Sequence, residues 1–148
     1  MPTVQSSYAA TQARAYEGMQ GDMSPPDIQS RIIENVAGIG FGKAAYQGTT
    51  EQGIDTTGSI FVGVTLADKN ARPNAAGTDL LAKGDTVPVM QKGDVWVVVS
   101  GAVTLGAAAF VTPAGAFTAT SAGNTAIKGQ FLTAASNGQL ALLKLNLP

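Results

Sequence analysis

The clearest pattern in the chain is a period of two. Residues 59–66 (SIFVGVTL) set Ile60, Val62, Val64 and Leu66 on one face of an extended segment, and alternation over that length predicts a half-buried β-strand. The C-terminal LALLKLNL repeats it, with Leu143, Leu145 and Leu147 against Leu142, Lys144 and Asn146. Residues 37–46 (AGIGFGKAAY) alternate through Ile39, Phe41 and Lys43 with glycines between, the pattern of a strand that curves or lies close to another backbone. Residues 28–36 (IQSRIIENV) fit a short helical turn or a first strand, and residues 47–58 read as a polar loop.

Turn formers divide the remainder. Val87-Pro88-Val89-Met90 predicts a short strand whose proline belongs at an edge or a bulge. Lys92-Gly93-Asp94 then predicts a tight connection to residues 95–100, a hairpin with Trp96 near its base. Thr112-Pro113-Ala114-Gly115 suits a type I turn between residues 107–112 and 116–120. Asn137-Gly138 predicts a two-residue hairpin loop, with both residues at positive φ, between residues 124–133 and 139–145. Strands at roughly ten-residue intervals predict an all-β fold, a small antiparallel β-barrel or β-sandwich of jelly-roll or tulip-like form. The uncharged run of residues 95–111 is broken by Ser100-Gly101 and Gly106, so it reads as two buried strands and not as a membrane span, which needs about 20 apolar residues.

Residues 1–27 differ from the rest of the chain. They hold few large apolar side chains and close on Ser24-Pro25-Pro26-Asp27, where two prolines favour extended geometry. The expected organisation is an extended N-terminal arm, residues 1–27, and one β-rich domain, residues 28–148. Tyr8, Tyr16, Met19 and Met23 on that arm are candidate anchors in a groove of a neighbour, and Arg14 and Arg31 are candidate ion-pair partners for an acidic patch.

Composition narrows the chemistry. The 148 residues contain neither cysteine nor histidine, which removes disulfides, thiol nucleophiles and the commonest general base and zinc ligand. Nine basic and ten acidic side chains give a net charge of −1 without a block of either sign, so no basic stripe invites nucleic acid. The triplet Gly38, Gly40, Gly42 lacks dinucleotide-loop spacing. Asp79, Asp85 and Asp94 read as solvated turn carboxylates, Asp85 and Asp94 lying in different turns and not in one calcium loop. No cofactor and no metal site is expected, and Glu34 and Glu51 form no recognisable acid/base pair.

One resemblance gathers these features. The order Lys83-Gly84-Asp85-Thr86-Val87-Pro88-Val89-Met90, Lys92-Gly93-Asp94-Val95-Trp96-Val97, Val103-Thr104-Leu105-Gly106, residues 110–117, Ile127-Lys128-Gly129 and a leucine-rich last strand resembles the capsid cement or decoration proteins of tailed bacteriophages. That resemblance implies a non-enzymatic virion protein on the outer surface of an icosahedral head, stabilising contacts between capsomers of the major capsid protein. A homo-oligomer, dimer or trimer, is expected because the large uncharged tract holds more apolar surface than one small body needs, and no nucleic acid or membrane partner is expected. Trp96 comes after the Lys-Gly turn on a strand, a place for a core aromatic or a subunit contact. The rival readings are a receptor- or carbohydrate-binding β-module of a phage fibre or bacterial surface, and an enzyme with paired carboxylates.

Overall fold

The computed structural model describes residues 13–68 and 80–148. Among them are eleven strands and no helix: β1 (Asp27–Ile33), β2 (Ile39–Gly40), β3 (Ala44–Gln47), β4 (Gly53–Asp55), β5 (Phe61–Thr65), β6 (Leu80–Leu81), β7 (Thr86–Val98), β8 (Ala108–Val111), β9 (Phe117–Thr118), β10 (Thr125–Phe131) and β11 (Leu140–Asn146). Nine form one sheet in the order β1-β4-β3-β5-β7-β11-β10-β8-β9, and β1 pairs with β7 as well. The pairings β1-β4-β3-β5-β7-β1 therefore close into a barrel. The barrel, one of the two all-β forms expected, is the fold observed. Among the described residues the one parallel strand pair is β1 with β4, through Ile32↔Gly53 and Ile33↔Ile54.

Two cores share the strands β3 and β5. Ala45 and Val62 join Ile33, Ile54, Val87 and Val89 in the first, which Ile39 and Leu81 of the small β2–β6 sheet complete. Ala44, Tyr46, Val64 and Leu66 join Val95, Val97, Phe117, Phe131, Leu143 and Leu145 in the second. The two cores lie on opposite faces of β3, and a bulge divides β5 between them. Ala45 stands opposite Gly63 but Tyr46 opposite Phe61, so Val62 is an extra residue and the faces exchange there. Gly63 suits the site, since its φ of 145° and the Met90 carbonyl crowding its Cα leave no room for a side chain. The single apolar face expected for residues 60–66 is thus split between two cores, and Ile60 is exposed.

The expected hairpin at Lys92-Gly93-Asp94 is not formed. Thr86–Val98 is one continuous strand of 13 residues. Its first half pairs with β1 and β5, and Lys92, Gly93 and Asp94 carry on the ladder opposite Asn146, Leu145 and Lys144 of β11. A register shift opposite Asp27/Ile28 explains how Val87 and Val89 fill the first core while Met90, Val95, Val97 and Val99 fill the second. Gly93, at φ 128° and packed against Met90 and Pro26, is a bend residue within a strand. Pro88 is likewise neither at an edge nor at that shift. It stands opposite Ser30, and toward β5 its carbonyl accepts the Leu66 N–H at 2.9 Å, where that ladder ends.

The C-terminal elements match expectation more closely. Ala141, Leu143 and Leu145 are buried while Lys144 and Asn146 are exposed. Gly115 donates to the Thr112 carbonyl at 2.8 Å, closing the turn between β8 and β9. A parallel bridge from Val99 to Phe117 brings β9 back to the end of β7. The Asn137-Gly138 turn is closed by Gln139 N–H on the Ser136 carbonyl at 3.0 Å. Gly138 alone has positive φ, Asn137 having none, so the turn has the type II pattern and not the expected mirror-image one.

Candidate functional site

Residues 13–21 lie along the second half of β7. The Gly18 and Gly21 amides donate to the carbonyls of Trp96 at 2.8 Å and Asp94 at 2.7 Å, and the Trp96 amide donates to the Met19 carbonyl at 2.9 Å. The Gly18 carbonyl accepts the Ala67 amide at 2.9 Å, tying the segment to the end of β5. Gly18 permits this approach. Its φ is 81°, and a Cβ there would lie 2.8 Å from the Gly42 nitrogen and 2.9 Å from that of Ala67. Glu17 pairs with Lys43 at 2.5 Å, and Ala15 is buried.

This path gathers most of the candidate residues around Trp96. Asp94 and Trp96 alternate with Val95 and Val97, so they stand on the face away from the second core, with Lys144 and Leu142 opposite them on β11. Trp96 is nevertheless only 6% exposed. The guanidinium of Arg14 sits 5.1 Å from the centre of its ring, within cation–π range. Ala13, Arg14, Ala15, Trp96, Thr133 and Gln139 line a shallow cleft of about 450 Å³. Met19 is half-buried, Tyr16 is partly exposed beside Phe41 and Leu80, and Met23 is 99% exposed. Tyr8 lies outside the described residues, as does Asp79.

Sequence reasoning missed the carboxyl pair under this segment. Asp94, expected to be a solvated turn carboxylate, is only 7% exposed, because its turn is in fact mid-strand and covered by residues 21–22. Burial, followed by hydrogen bonding to and repulsion from Asp22, raises its pKa, with Lys144 opposing weakly. Asp22 moves the other way, lowered chiefly by the Ser24 hydroxyl and amide. The pair thus shares one proton more readily than two free aspartates do. Asp85 does behave as a turn carboxylate, accepting the Ala82 amide at 3.0 Å.

Glu34 also has a defined task. Its two oxygens accept the amides of Thr49 at 2.7 Å and Thr50 at 3.0 Å and both threonine hydroxyls. These bonds, the Thr50 hydroxyl foremost, pull its pKa down to about 2. Such a carboxylate is a fixed acceptor that holds the β3–β4 loop and is poorly suited to proton transfer near neutrality. Among the described residues no group of three metal-ligating side chains converges. What the surface offers is exposed apolar side chains: Met23, Ile28, Ile32, Val36, Ile60 and Leu105.

These apolar points lie on a closed β-body. The family model described as structural cement protein (E217 gp24/Pam3 gp6) matches residues 4–146. The chain belongs to that family of phage structural cement proteins, which gives it a structural, capsid-associated role in a virion. Among solved structures it is similar to a chain in the capsid of Myoviridae phage XM1, at 16% identity and a TM-score of 0.72 over 97% of both chains. It is also similar to the head fibre gp8.5 N base of bacteriophage phi29, at 15% identity and a TM-score of 0.49 over 82% of this chain and 95% of that one. No curated protein matches at the sequence level.

Proposed function

We propose that the chain binds the outer surface of an icosahedral head as a non-enzymatic homo-oligomer and stabilises contacts between capsomers of the major capsid protein. The observation that carries this reading is the cement-family match over nearly the whole chain, residues 4–146. The physical chemistry supports it. A closed β-body with two cores resists deformation, and only 13% charged residues limits repulsion among copies packed on a lattice. Scattered apolar contacts suffice because an oligomer engaging several capsomers gains avidity.

Within this reading residues 1–27 are the arm, and Tyr8, Arg14, Tyr16, Met19, Met23 and Trp96 are its contact set. Arg14 and Trp96 act as a unit, since the guanidinium on the indole fixes how the arm leaves the body. Met23 meets the capsid or a sister subunit directly. The test is to mix purified protein with expanded heads lacking it, sediment them and count bound copies. Saturable binding at a fixed ratio to the major capsid protein is expected; absence of co-sedimentation with matched heads overturns the reading.

A further inference from the structure

β1 leaves a stretch of backbone open, and its sequence is complementary to itself. The Ile33 amide donates to Asp85 just ahead of β7, and the Ile32 amide donates the opposite way, to Gln52 beside β4. Amides alternate along a strand, so those of Ile28 and Ser30 point away from β7, as does that of Ile32. Pro88 opposite Ser30 agrees, since a residue without an N–H costs nothing at a pair that exchanges no bonds. β4 reaches only Ile32 and Ile33. The amide and carbonyl of both Ile28 and Ser30 therefore have no strand partner among the described residues. Residues 27–30 are exposed on both faces, and Ile28 and Ile32 are among the exposed large apolar side chains.

We infer that this edge pairs with the same edge of a second copy, β1 against β1 in antiparallel register about a two-fold axis through Gln29. The register is set by the residues. Ile28 then faces Ser30 of the other copy, and both outward-pointing pairs exchange hydrogen bonds. Asp27 faces Arg31 of the other copy on one face, twice by symmetry, and opposite charges across a strand pair attract. The ladder stops by itself at the next position. There Pro26, without an N–H, meets Ile32, whose N–H is already bonded to Gln52, leaving an apolar contact. Arg31 spans Gln29 Oε1 at 2.9 Å and the Glu51 carbonyl at 2.6 Å, so its five N–H donors are held near the axis and are not all used. An exposed strand of alternating edge polarity invites any extended chain. The Asp27/Arg31 symmetry and a ladder bounded at both ends by Pro26 and Ile32 favour a second copy.

The inference names the contact behind the homo-oligomer of the proposed function and is independent of capsid attachment. Its test uses the full chain without heads, so failure here leaves the sedimentation result with heads untouched. Sedimentation equilibrium across the accessible concentration range is expected to give a monomer–dimer equilibrium. Amide hydrogen exchange is expected to show Ile28 and Ser30 protected in the dimer and unprotected on dilution. Asp27→Lys, at an exposed position, is expected to leave the thermal transition in place and weaken the dimer about tenfold, by two repulsive cross-strand pairs. Monomer at every concentration, a trimer, or a dimer whose Ile28 and Ser30 amides exchange freely would each overturn the inference.

Discussion

At the residue scale, two carboxylates respond to pH in opposite directions. Glu34 is held by four donors from Thr49 and Thr50, and its pKa falls from 4.5 to about 2. A lowered folded-state pKa means stabilisation that is fully present above 4.5 and lost as pH falls toward about 2. Glu34→Gln is therefore expected to lower Tm at neutral pH, and the gap to wild type should close between those limits in a thermal melt series. A gap that persists at the acid end would mean the bonds are not charge-assisted. Asp94 has the opposite sign. Its raised pKa means stabilisation present below about 3.8 and lost as pH rises through the folded value. Asp94→Asn, which keeps an acceptor and removes the charge beside Asp22, should raise Tm at pH 7 and confer no advantage in acid. Neither role was visible in the sequence. Glu34 and Thr50 are 16 residues apart, and Asp94 looked solvated because Lys-Gly-Asp reads as a turn.

At the scale of elements, the C-terminal strands were legible and the middle of the molecule was not. Leu143, Leu145, Lys144 and Asn146 sit where alternation places them, because β11 lies in a regular ladder against β7. Alternation failed on residues 60–66 since one extra residue at Val62 exchanges faces, and a bulge leaves no periodic signature beyond its glycine. The hairpin expectation failed because a glycine with positive φ serves a bend within a strand as well as a turn between two. Gly93 gives this a measurable consequence. At φ 128°, with a Cβ placed 3.2 Å from both Met90 Sδ and Pro26 Cβ, Gly93→Ala is expected to cost about 1–3 kcal/mol. Were Lys92-Gly93-Asp94 a solvent-exposed hairpin loop free to relax, the loss in a denaturant titration would be near the few tenths usual for a surface change.

For the whole molecule, the proposed arm of residues 1–27 packs on the body along part of its length. Residues 13–21 extend the second half of β7 through Gly18, Met19 and Gly21, cover Trp96 with Arg14 and set Asp22 against Asp94. Part of the proposed arm is therefore bonded to the body. Deleting residues 2–22 exposes the indole, releases the ladder and leaves Asp94 open to water, so it is expected to cost about 3 kcal/mol or more. The intrinsic fluorescence of Trp96, the sole tryptophan, should shift to longer wavelength in the truncated protein before any denaturant is added. If stability and emission are both unchanged, the segment is an appendage, and a binding defect of that truncation can be assigned to lost capsid contacts. If both change, attachment must be probed instead with Met23→Ser, which alters a side chain that is 99% exposed and leaves the β7 ladder intact. Reduced copy number on heads at unchanged Tm would then place the contact on the arm, and full occupancy would place it on the body.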